Sequence, residues 1–225
     1  MQNIACFGCS FTSGLDNGNE IRQCWPYKLS IKRPDVTFYN FGKQASSVLF
    51  SINMIEQAKR QLIFDTIISQ ITLPYRITFY SECFRLDIKK HLIQITDNYY
   101  VLDYDIEEVI SINGIVGKRE KKEMMNNHVE KFDRYQILEK LLLLQDDNNH
   151  FIPEYRSHVN RLKDLSNISF FHKDHQINCQ ELNNIECVEK ILGVENFVKF
   201  IIDKGYHFGE EGSDWISNWL LEKIN

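Results

Sequence analysis

The chain opens with the segment QNIACFGCSFTSG, residues 2–14, an apolar run that ends in a glycine, a cysteine and a serine. Residues 2–7 have the length and apolar character of a buried strand, and the turn after them leads into a helix-compatible stretch. Similar runs at 36–41 and 64–71 predict two more strands, with helical patterns between them. Strands that alternate with helices predict a parallel sheet whose strands all end at one edge.

Residues 77–127 interrupt this alternation. The runs HLIQI at 91–95 and YYVL at 99–102 flank a polar turn and predict a β-hairpin. We interpret 77–127 as an insertion within a single domain that spans 1–225, and we expect it to roof a site at the edge of the sheet. Elsewhere, the patterns predict a strand at 168–171 and helices at 154–165, 186–202 and 210–224.

The composition is that of an ordinary globular protein. The 225 residues include 26 Lys and Arg against 31 Asp and Glu, for a net charge of −5, and 43% are hydrophobic. This mild acidity offers no long-range attraction for nucleic acid, so we expect no nucleic-acid partner. No apolar run reaches the ~20 residues of a membrane span, and no basic leader precedes the first strand. We therefore expect a cytoplasmic protein without a membrane partner, and the composition leaves the oligomeric state open.

Two cysteine patterns have a structural and a functional interpretation. Cys6 and Cys9 form a C-x-x-C pair, but Cys6 falls inside the apolar run of the first strand, which favours a buried thiol over a redox site. His172, His175 and Cys179 are spaced like three zinc ligands, without an obvious fourth. We interpret these three as polar loop residues and expect no metal or other cofactor.

Three short loop segments carry groups suited to chemistry. Ser10 follows the first strand, where a serine serves either as a nucleophile or as a helix N-cap. Gly42 follows the second strand, where it allows close approach of the backbone to a ligand. His207 lies in a glycine-flanked loop before the last helix, with the Asp203 carboxylate four residues upstream to orient its ring.

In their order and spacing, these segments resemble the sequence blocks of the SGNH/GDSL hydrolase superfamily. Gly8-Cys9-Ser10-Phe11 is similar to the Gly-Asp-Ser-Leu block, with Cys9 in place of the aspartate. Asn40-Phe41-Gly42 is similar to the block that supplies an oxyanion-hole glycine, and His207 matches the histidine of the last block. The resemblance implies a three-layer α/β/α sandwich with a flavodoxin-like parallel sheet of about five strands.

The resemblance also implies a serine esterase that needs no cofactor. Ser10 would attack the ester carbonyl, His207 would take the serine proton, and Asp203 would orient the histidine. The N–H groups of Ser10 and Gly42 would hold the oxyanion. The substrate class implied is a small acyl ester, acetyl above all, of a carbohydrate or another hydroxylated molecule.

Two positions depart from the pattern of the superfamily. Thr72 stands where the third block has an asparagine that donates to the oxyanion, so Thr72 or Gln70 would have to supply that donor. Arg76 could also reach in, as a substrate contact. Lys204 stands three residues before His207, where the superfamily has an aspartate, so the orienting carboxylate is sought one residue earlier in the chain.

Two other functions stay open. An O-acyltransferase would use the same Ser10 and His207 and pass the acyl group to a sugar hydroxyl instead of water. A catalytically weak or inactive binding module on the same scaffold is favoured by Lys204 and Thr72. It is disfavoured by the presence of Ser10, Gly42 and His207 together.

Overall fold

Helices and strands alternate along much of the chain. The computed structural model describes residues 2–14, 21–44, 46–72, 76–80, 86–103, 109–113, 151–171, 182, 184–201 and 208–224, and for 76–80, 109–113 and 151–154 the backbone alone. The first third contains β1 (Gln2–Phe7), α1 (Ser10–Ser13), α2 (Trp25–Lys32), β2 (Val36–Asn40), α3 (Val48–Lys59) and β3 (Thr66–Ile71). The middle contains β4 (Arg76–Tyr80), α4 (Ile88–His91), β5 (Leu92–Thr96), β6 (Tyr99–Leu102) and β7 (Val109–Asn113). The last part contains α5 (Phe151–Leu165), β8 (Ile168–Phe171), β9 (Glu186–Cys187), α6 (Val188–Leu192), α7 (Val194–Phe200) and α8 (Glu210–Leu221).

Seven of the described strands form one sheet in the order β5-β6-β2-β1-β3-β8-β9. Neighbouring strands are parallel except for β5 with β6. The register places Ile4 of β1 opposite Phe38 of β2 on one side and opposite Thr66 of β3 on the other. The run β2-β1-β3-β8-β9 follows the strand order of a flavodoxin-like sheet, and the hairpin adds two strands at the β2 edge. The predicted sheet is confirmed as a mostly parallel one, with seven strands among the described residues instead of about five.

Helices cover both faces of this sheet. The side chains of β1 alternate between the faces, so that Ala5 and Phe7 join one apolar core while Ile4 and Cys6 join the other. The first core includes residues of α3 and α5, and the second includes residues of α2, α7 and α8. All four side chains are fully buried, as expected for a central parallel strand between two helical layers. The predicted three-layer α/β/α sandwich is therefore confirmed.

The predicted hairpin is present, but it belongs to the main sheet. β6 pairs in parallel with β2, with Tyr99 opposite Phe38 and Val101 opposite Asn40. Tyr99 and Leu102 are fully buried, one in each core. β5 and β6 therefore extend the sheet at its β2 edge. The expectation that 77–127 roofs a site stays a prediction.

The stretch that we interpret as an insertion also contains β4 and β7. These two strands pair in antiparallel fashion as a separate two-stranded sheet, with Arg76 opposite Asn113. β4 lies against α3. The assignment of 77–127 as an insertion within a single domain stays a prediction.

The helix predicted over 186–202 is divided into three elements. Glu186 and Cys187 form β9, which pairs with β8. α6 then ends at Leu192 and α7 begins at Val194, with Gly193 capping both helices. The φ of Gly193 is +75°, a left-handed conformation that residues with a Cβ adopt at a cost. The apolar spacing fits one helix, so the break arises from the glycine backbone and from a pairing with a distant strand.

Asn98 fixes the turn of the hairpin against the rest of the sheet. Its Nδ2 lies 2.9 Å from the Ser30 carbonyl oxygen and 3.1 Å from the Val36 carbonyl oxygen. The carbonyl oxygen of Asn98 accepts a hydrogen bond from Phe38 N at 2.8 Å. One residue therefore connects the hairpin turn to α2 and to the beginning of β2.

Replacing Asn98 with alanine removes the side-chain amide. The carbonyl oxygens of Ser30 and Val36 then lose a hydrogen-bond donor. We expect the Asn98→Ala substitution to lower the free energy of unfolding by about 1–3 kcal/mol, measured by urea denaturation. Asp97→Ala in the same turn, where the side chain is exposed, is the matched control and should change that free energy by less than about 0.5 kcal/mol. Equal losses in the two variants would contradict this role of Asn98.

Candidate active site

The candidate site lies where β1, β2 and β3 end. Ser10 is the first residue of α1 and follows the end of β1 by three residues. It is 6% exposed. Asn40 is the last residue of β2, and Gln70 is the penultimate residue of β3. The predicted place of Ser10 at a strand–turn–helix junction is confirmed, but its alternative role as a helix N-cap is wrong, because Cys9 occupies the N-cap.

α1 is a single helical turn that depends on its neighbours. Thr12 N and Ser13 N each donate to the Cys9 carbonyl oxygen at 2.9 Å, and Gly14 N donates to the Ser10 carbonyl oxygen at 3.1 Å. A helix of four residues is unstable by itself, because nucleation costs more than one turn of hydrogen bonds supplies. The orientation of α1 must therefore come from tertiary contacts.

The first of these contacts comes from Asn40. Its Nδ2 donates to the Thr12 carbonyl oxygen at 2.7 Å, at the end of a helix where carbonyl groups lack intrahelical partners. Its Oδ1 accepts from Gly42 N at 2.8 Å. Asn40 is fully buried, so water does not compete for these bonds. The amide therefore joins the end of β2 to α1 and to the loop that follows β2.

The second contact comes from β3. Thr12 Oγ1 donates to Gln70 Oε1 at 2.7 Å, and both side chains are buried. Gly8 makes this approach possible, because a Cβ at that position would lie 2.3 Å from Thr12 Oγ1 and 2.9 Å from Gln70 Cβ. Thr12, two residues from Ser10, is thus held through its carbonyl by β2 and through its hydroxyl by β3.

The loop after β2 is also bonded to the loop that carries Ser10. The Gly8 carbonyl oxygen accepts from Lys43 N at 3.0 Å and from Ser46 Oγ at 2.9 Å. Burial lowers the pKa of the Lys43 ammonium, because desolvation disfavours its charged form. The two loops therefore form one connected unit at the edge of the sheet.

Asn40 also contacts the hairpin. Its Nδ2 donates to Tyr99 Oη at 2.8 Å, and Tyr99 Oη lies 3.3 Å from Cys24 Sγ. Cys24 Sγ donates in turn to the Ile21 carbonyl oxygen at 3.0 Å. Burial raises the pKa of Tyr99 well above its ordinary value and raises the pKa of Cys24 to about 11, so both groups keep their protons at neutral pH.

Sequence reasoning assigns no role to Asn40 or Tyr99. Asn40 offers one local signal, since it is a polar residue at the end of the apolar strand VTFYN. Tyr99 offers no such signal. Its contact with Asn40 arises from the pairing of β6 with β2, which the local sequence does not encode.

Three residues predicted for the oxyanion hole lie at this edge of the sheet, with their polar groups in different environments. The N–H of Gly42 donates to Asn40 Oδ1, so it would have to leave that bond to reach an oxyanion. Gln70 Oε1 accepts from Thr12. Thr72 Oγ1 is buried and, within the described residues, has no hydrogen-bond partner. The roles of all three stay predictions.

The predicted base, His207, and its orienting carboxylate, Asp203, lie outside the described residues. Their loop is flanked by residues that the structure does describe. Ile201 pairs with Phe208 in an isolated antiparallel bridge. The ring of Phe208 also packs on the ring of Phe197, with the centroids 5.2 Å apart. The residue after His207 is therefore held in place two residues before α8 begins.

The interpretation of the C-x-x-C pair as buried thiols is supported. Cys6 and Cys9 are both buried, and burial raises the pKa of the Cys6 thiol well above its ordinary value, the opposite of a reactive cysteine. Among the described residues, no group of three His, Cys, Asp or Glu side chains is placed to hold a metal ion. Other predicted residues lie outside what the structure describes: His172, His175, Cys179 and the side chain of Arg76.

The structure also bears on the membrane prediction. No helix in the part of the chain that is described is long and apolar enough to cross a bilayer. This agrees with the absence of a long apolar run from the sequence.

Comparison with known proteins finds similarity at the level of structure. No protein-family model and no curated protein matches the chain. A lipolytic G-D-S-L family member from Veillonella parvula DSM 2008 is 13% identical, with 99% of this chain and 97% of that chain covered and a TM-score of 0.45. The psychrotrophic esterase EstA from Pseudoalteromonas sp. is 7% identical, with 100% and 97% covered and a TM-score of 0.48. A two-domain esterase active on acetylated mannans is 13% identical, with 99% of this chain but 50% of that chain covered and a TM-score of 0.46.

These three solved structures are a lipolytic protein and two esterases. At these identities, and with TM-scores below 0.5, the likeness assigns no role to any residue. The chemistry of the site has to follow from its own geometry.

The buried thiol of Cys24 predicts a loss of stability at alkaline pH. In the unfolded chain this thiol ionises near its ordinary pKa of 9.0, whereas in the folded protein its pKa is about 11. Between these values the unfolded state binds fewer protons than the folded state, so the free energy of unfolding falls as the pH rises. We expect Cys24 alone to account for a fall of about 2–3 kcal/mol across this interval.

Urea denaturation at both ends of that pH interval measures the fall, with Cys24→Ala as the comparison. The variant should lose less stability between the two pH values, whatever its stability at neutral pH. The same pH-dependent loss in both proteins would show that the Cys24 thiol is not the group responsible.

Proposed function

We propose that the protein is a serine-dependent ester hydrolase that removes a small acyl group through an acyl intermediate on Ser10. The observation that carries this proposal is the support of α1 from two strands, through the Thr12 contacts with Asn40 and Gln70. A nucleophile needs such support, because a displacement of about 1 Å can cost roughly 10²-fold in rate. A serine that only begins a surface helix needs none of it.

The proposed reaction has two acyl-transfer steps. Ser10 Oγ attacks the ester carbonyl carbon while His207, oriented by Asp203, takes the hydroxyl proton. The tetrahedral intermediate then collapses, the C–O bond to the alcohol breaks, and His207 gives its proton to the departing oxygen. Water attacks the acyl-Ser10 by the same route, which releases the acid and restores the serine.

The oxyanion of the intermediate is stabilised by the N–H of Ser10 and by Thr72 Oγ1. Support for Thr72 comes from its place directly after β3, at the edge of the sheet where Ser10 lies, together with a buried hydroxyl that has no partner among the described residues. An unpartnered buried hydroxyl destabilises the folded state, and this cost is expected where the group serves a charge that develops during a reaction. Gly42 becomes a further donor if its N–H leaves Asn40 Oδ1.

The acyl group and its carrier follow from the sequence resemblance. That resemblance suggests acetyl, carried by a carbohydrate or by another hydroxylated molecule. Release of acetate from acetylated sugars is therefore the natural assay once activity on a simple ester is established.

Hydrolysis of p-nitrophenyl acetate by wild type, Ser10→Ala and His207→Ala tests the proposal. Both substitutions should abolish turnover, because one removes the nucleophile and the other removes the base. The wild-type rate should rise with pH around the ordinary His pKa of roughly 6.5, since only the neutral imidazole accepts the serine proton.

Ser51→Ala is the matched control, since Ser51 is a buried serine of α3 whose hydroxyl has no partner within the described residues. It should hydrolyse the ester at the wild-type rate. A fluorophosphonate probe should label wild type and Ser51→Ala and should leave Ser10→Ala unlabelled. Wild-type turnover no faster than that of Ser10→Ala, without labelling, would overturn the proposal.

Thr72→Val tests the third oxyanion donor. Valine keeps the shape of the side chain and removes only the hydroxyl. If that hydroxyl donates to the oxyanion, kcat should fall by roughly 10²-fold. The free energy of unfolding should stay the same or rise, because an unpartnered hydroxyl leaves the interior.

Thr66→Val is the control for this substitution. Thr66 lies at the other end of β3, away from the candidate site. The kcat of Thr66→Val should therefore match that of wild type. An unchanged kcat in Thr72→Val would exclude Thr72 as a donor and leave the hydrolase proposal standing on Ser10 and His207.

A further inference from the structure

A buried row of polar groups connects the hairpin to the helix that begins with Ser10. Asn40 Nδ2 has two hydrogens and two oxygen partners, the Thr12 carbonyl oxygen at 2.7 Å and Tyr99 Oη at 2.8 Å. Asn40 and Tyr99 are fully buried, and Cys24 is 3% exposed. Water therefore has little access to this row, and each partner must be supplied by the protein.

The bonds of this row have one consistent direction. Cys24 has a single S–H hydrogen, which it donates to the Ile21 carbonyl oxygen at 3.0 Å. In the 3.3 Å contact between Cys24 Sγ and Tyr99 Oη, the tyrosine is then the donor. Tyr99 Oη is left as the acceptor for Asn40 Nδ2, as the geometry requires. Every proton is accounted for from Ile21 to Asn40, so the plane of the Asn40 amide is held at both ends.

The held amide in turn sets the position of α1. Asn40 Nδ2 bonds the carbonyl of Thr12, and Thr12 lies two residues after Ser10 in a helix of four residues. In so short a helix we expect a rotation of the Asn40 amide to move the whole turn, including Ser10. The contact of Thr12 with Gln70 holds the side-chain end, but it leaves the carbonyl end dependent on Asn40.

We propose that Asn40 and Tyr99 are positioning residues for the Ser10 nucleophile, with Tyr99 of the hairpin acting through Asn40. This inference rests on the proposed function, because it assumes that Ser10 reacts. It also gives the hairpin a role at the site, because β6 supplies the hydroxyl that holds the amide behind α1. The expected signature is a lower rate of reaction at Ser10 with little change in substrate binding.

Two variants separate the links of the row. Asn40→Leu has a similar shape and removes the bonds to Thr12, to Tyr99 and to Gly42 N. Tyr99→Phe removes only the hydroxyl and keeps the bond from Asn40 to the Thr12 carbonyl. We expect kcat for p-nitrophenyl acetate to fall by roughly 10²-fold in Asn40→Leu and by about 3–10-fold in Tyr99→Phe, with KM within about 3-fold of wild type in both.

The matched control is Tyr100→Phe. Tyr100 is the next residue of β6, on the other face of the sheet, where its ring stacks on Tyr39 with the centroids 5.2 Å apart. Phenylalanine keeps that stacking and removes a hydroxyl of the same kind, so kcat should equal that of wild type. All assays are run well below the thermal midpoint of each variant, with circular dichroism to verify that each one is folded.

The rate of fluorophosphonate labelling at Ser10 is the second measurement, since it reports the reactivity of the serine without substrate recognition. Labelling rates that fall in the same order as kcat would support the proposal. If Asn40→Leu does not fold, Tyr99→Phe alone decides the matter, because it removes a single hydroxyl.

Two outcomes would overturn the proposal, and they differ from each other. If wild type is active while Tyr99→Phe shows only a lower thermal midpoint, with kcat and labelling unchanged, the row is a structural brace and the hydrolase proposal stands. If wild type neither hydrolyses the ester nor reacts with the probe, the proposed function fails and the positioning role fails with it.

Discussion

The hydrogen bonds of the Asn40 amide are the interaction on which the candidate site depends. One buried side chain joins α1 through Thr12, the loop after β2 through Gly42, and the hairpin through Tyr99. A carboxamide has two donor hydrogens and one carbonyl oxygen, and all three are engaged here. These bonds give a one-turn helix a defined orientation at the edge of the sheet. A substitution of Asn40 would break all of them at once.

Close packing is the second constraint on the same helix. α1 approaches β3 only because Gly8 has no side chain, and the Thr12–Gln70 bond occupies the space that a Cβ would take. The strands beneath are central in the sheet and covered on both faces, so the loops at their ends rest on a rigid base. This arrangement suits acyl-transfer chemistry, in which the position of the nucleophile decides the rate.

Much of the fold could be predicted because its signals are local. A strand buried between two helical layers is a continuous apolar run, and residues 2–7, 36–41 and 168–171 have this character. The hairpin around Asn98 could also be predicted from the sequence, but its pairing with β2 could not. The helix expected over 186–202 is broken at Gly193, where a left-handed backbone overrides an apolar spacing that fits a helix.

The sequence by itself determined the alternation of strands and helices, and with it the place of Ser10 directly after the first strand. It also placed two polar residues, Gln70 and Thr72, at the end of the third strand. Only the tertiary structure decided which groups hold α1. The partners of Asn40 and Thr12 are Tyr99 and Gln70, 59 and 58 residues away along the chain. Such contacts depend on which strands become neighbours in the sheet, and that pairing is settled by the packing of the whole domain.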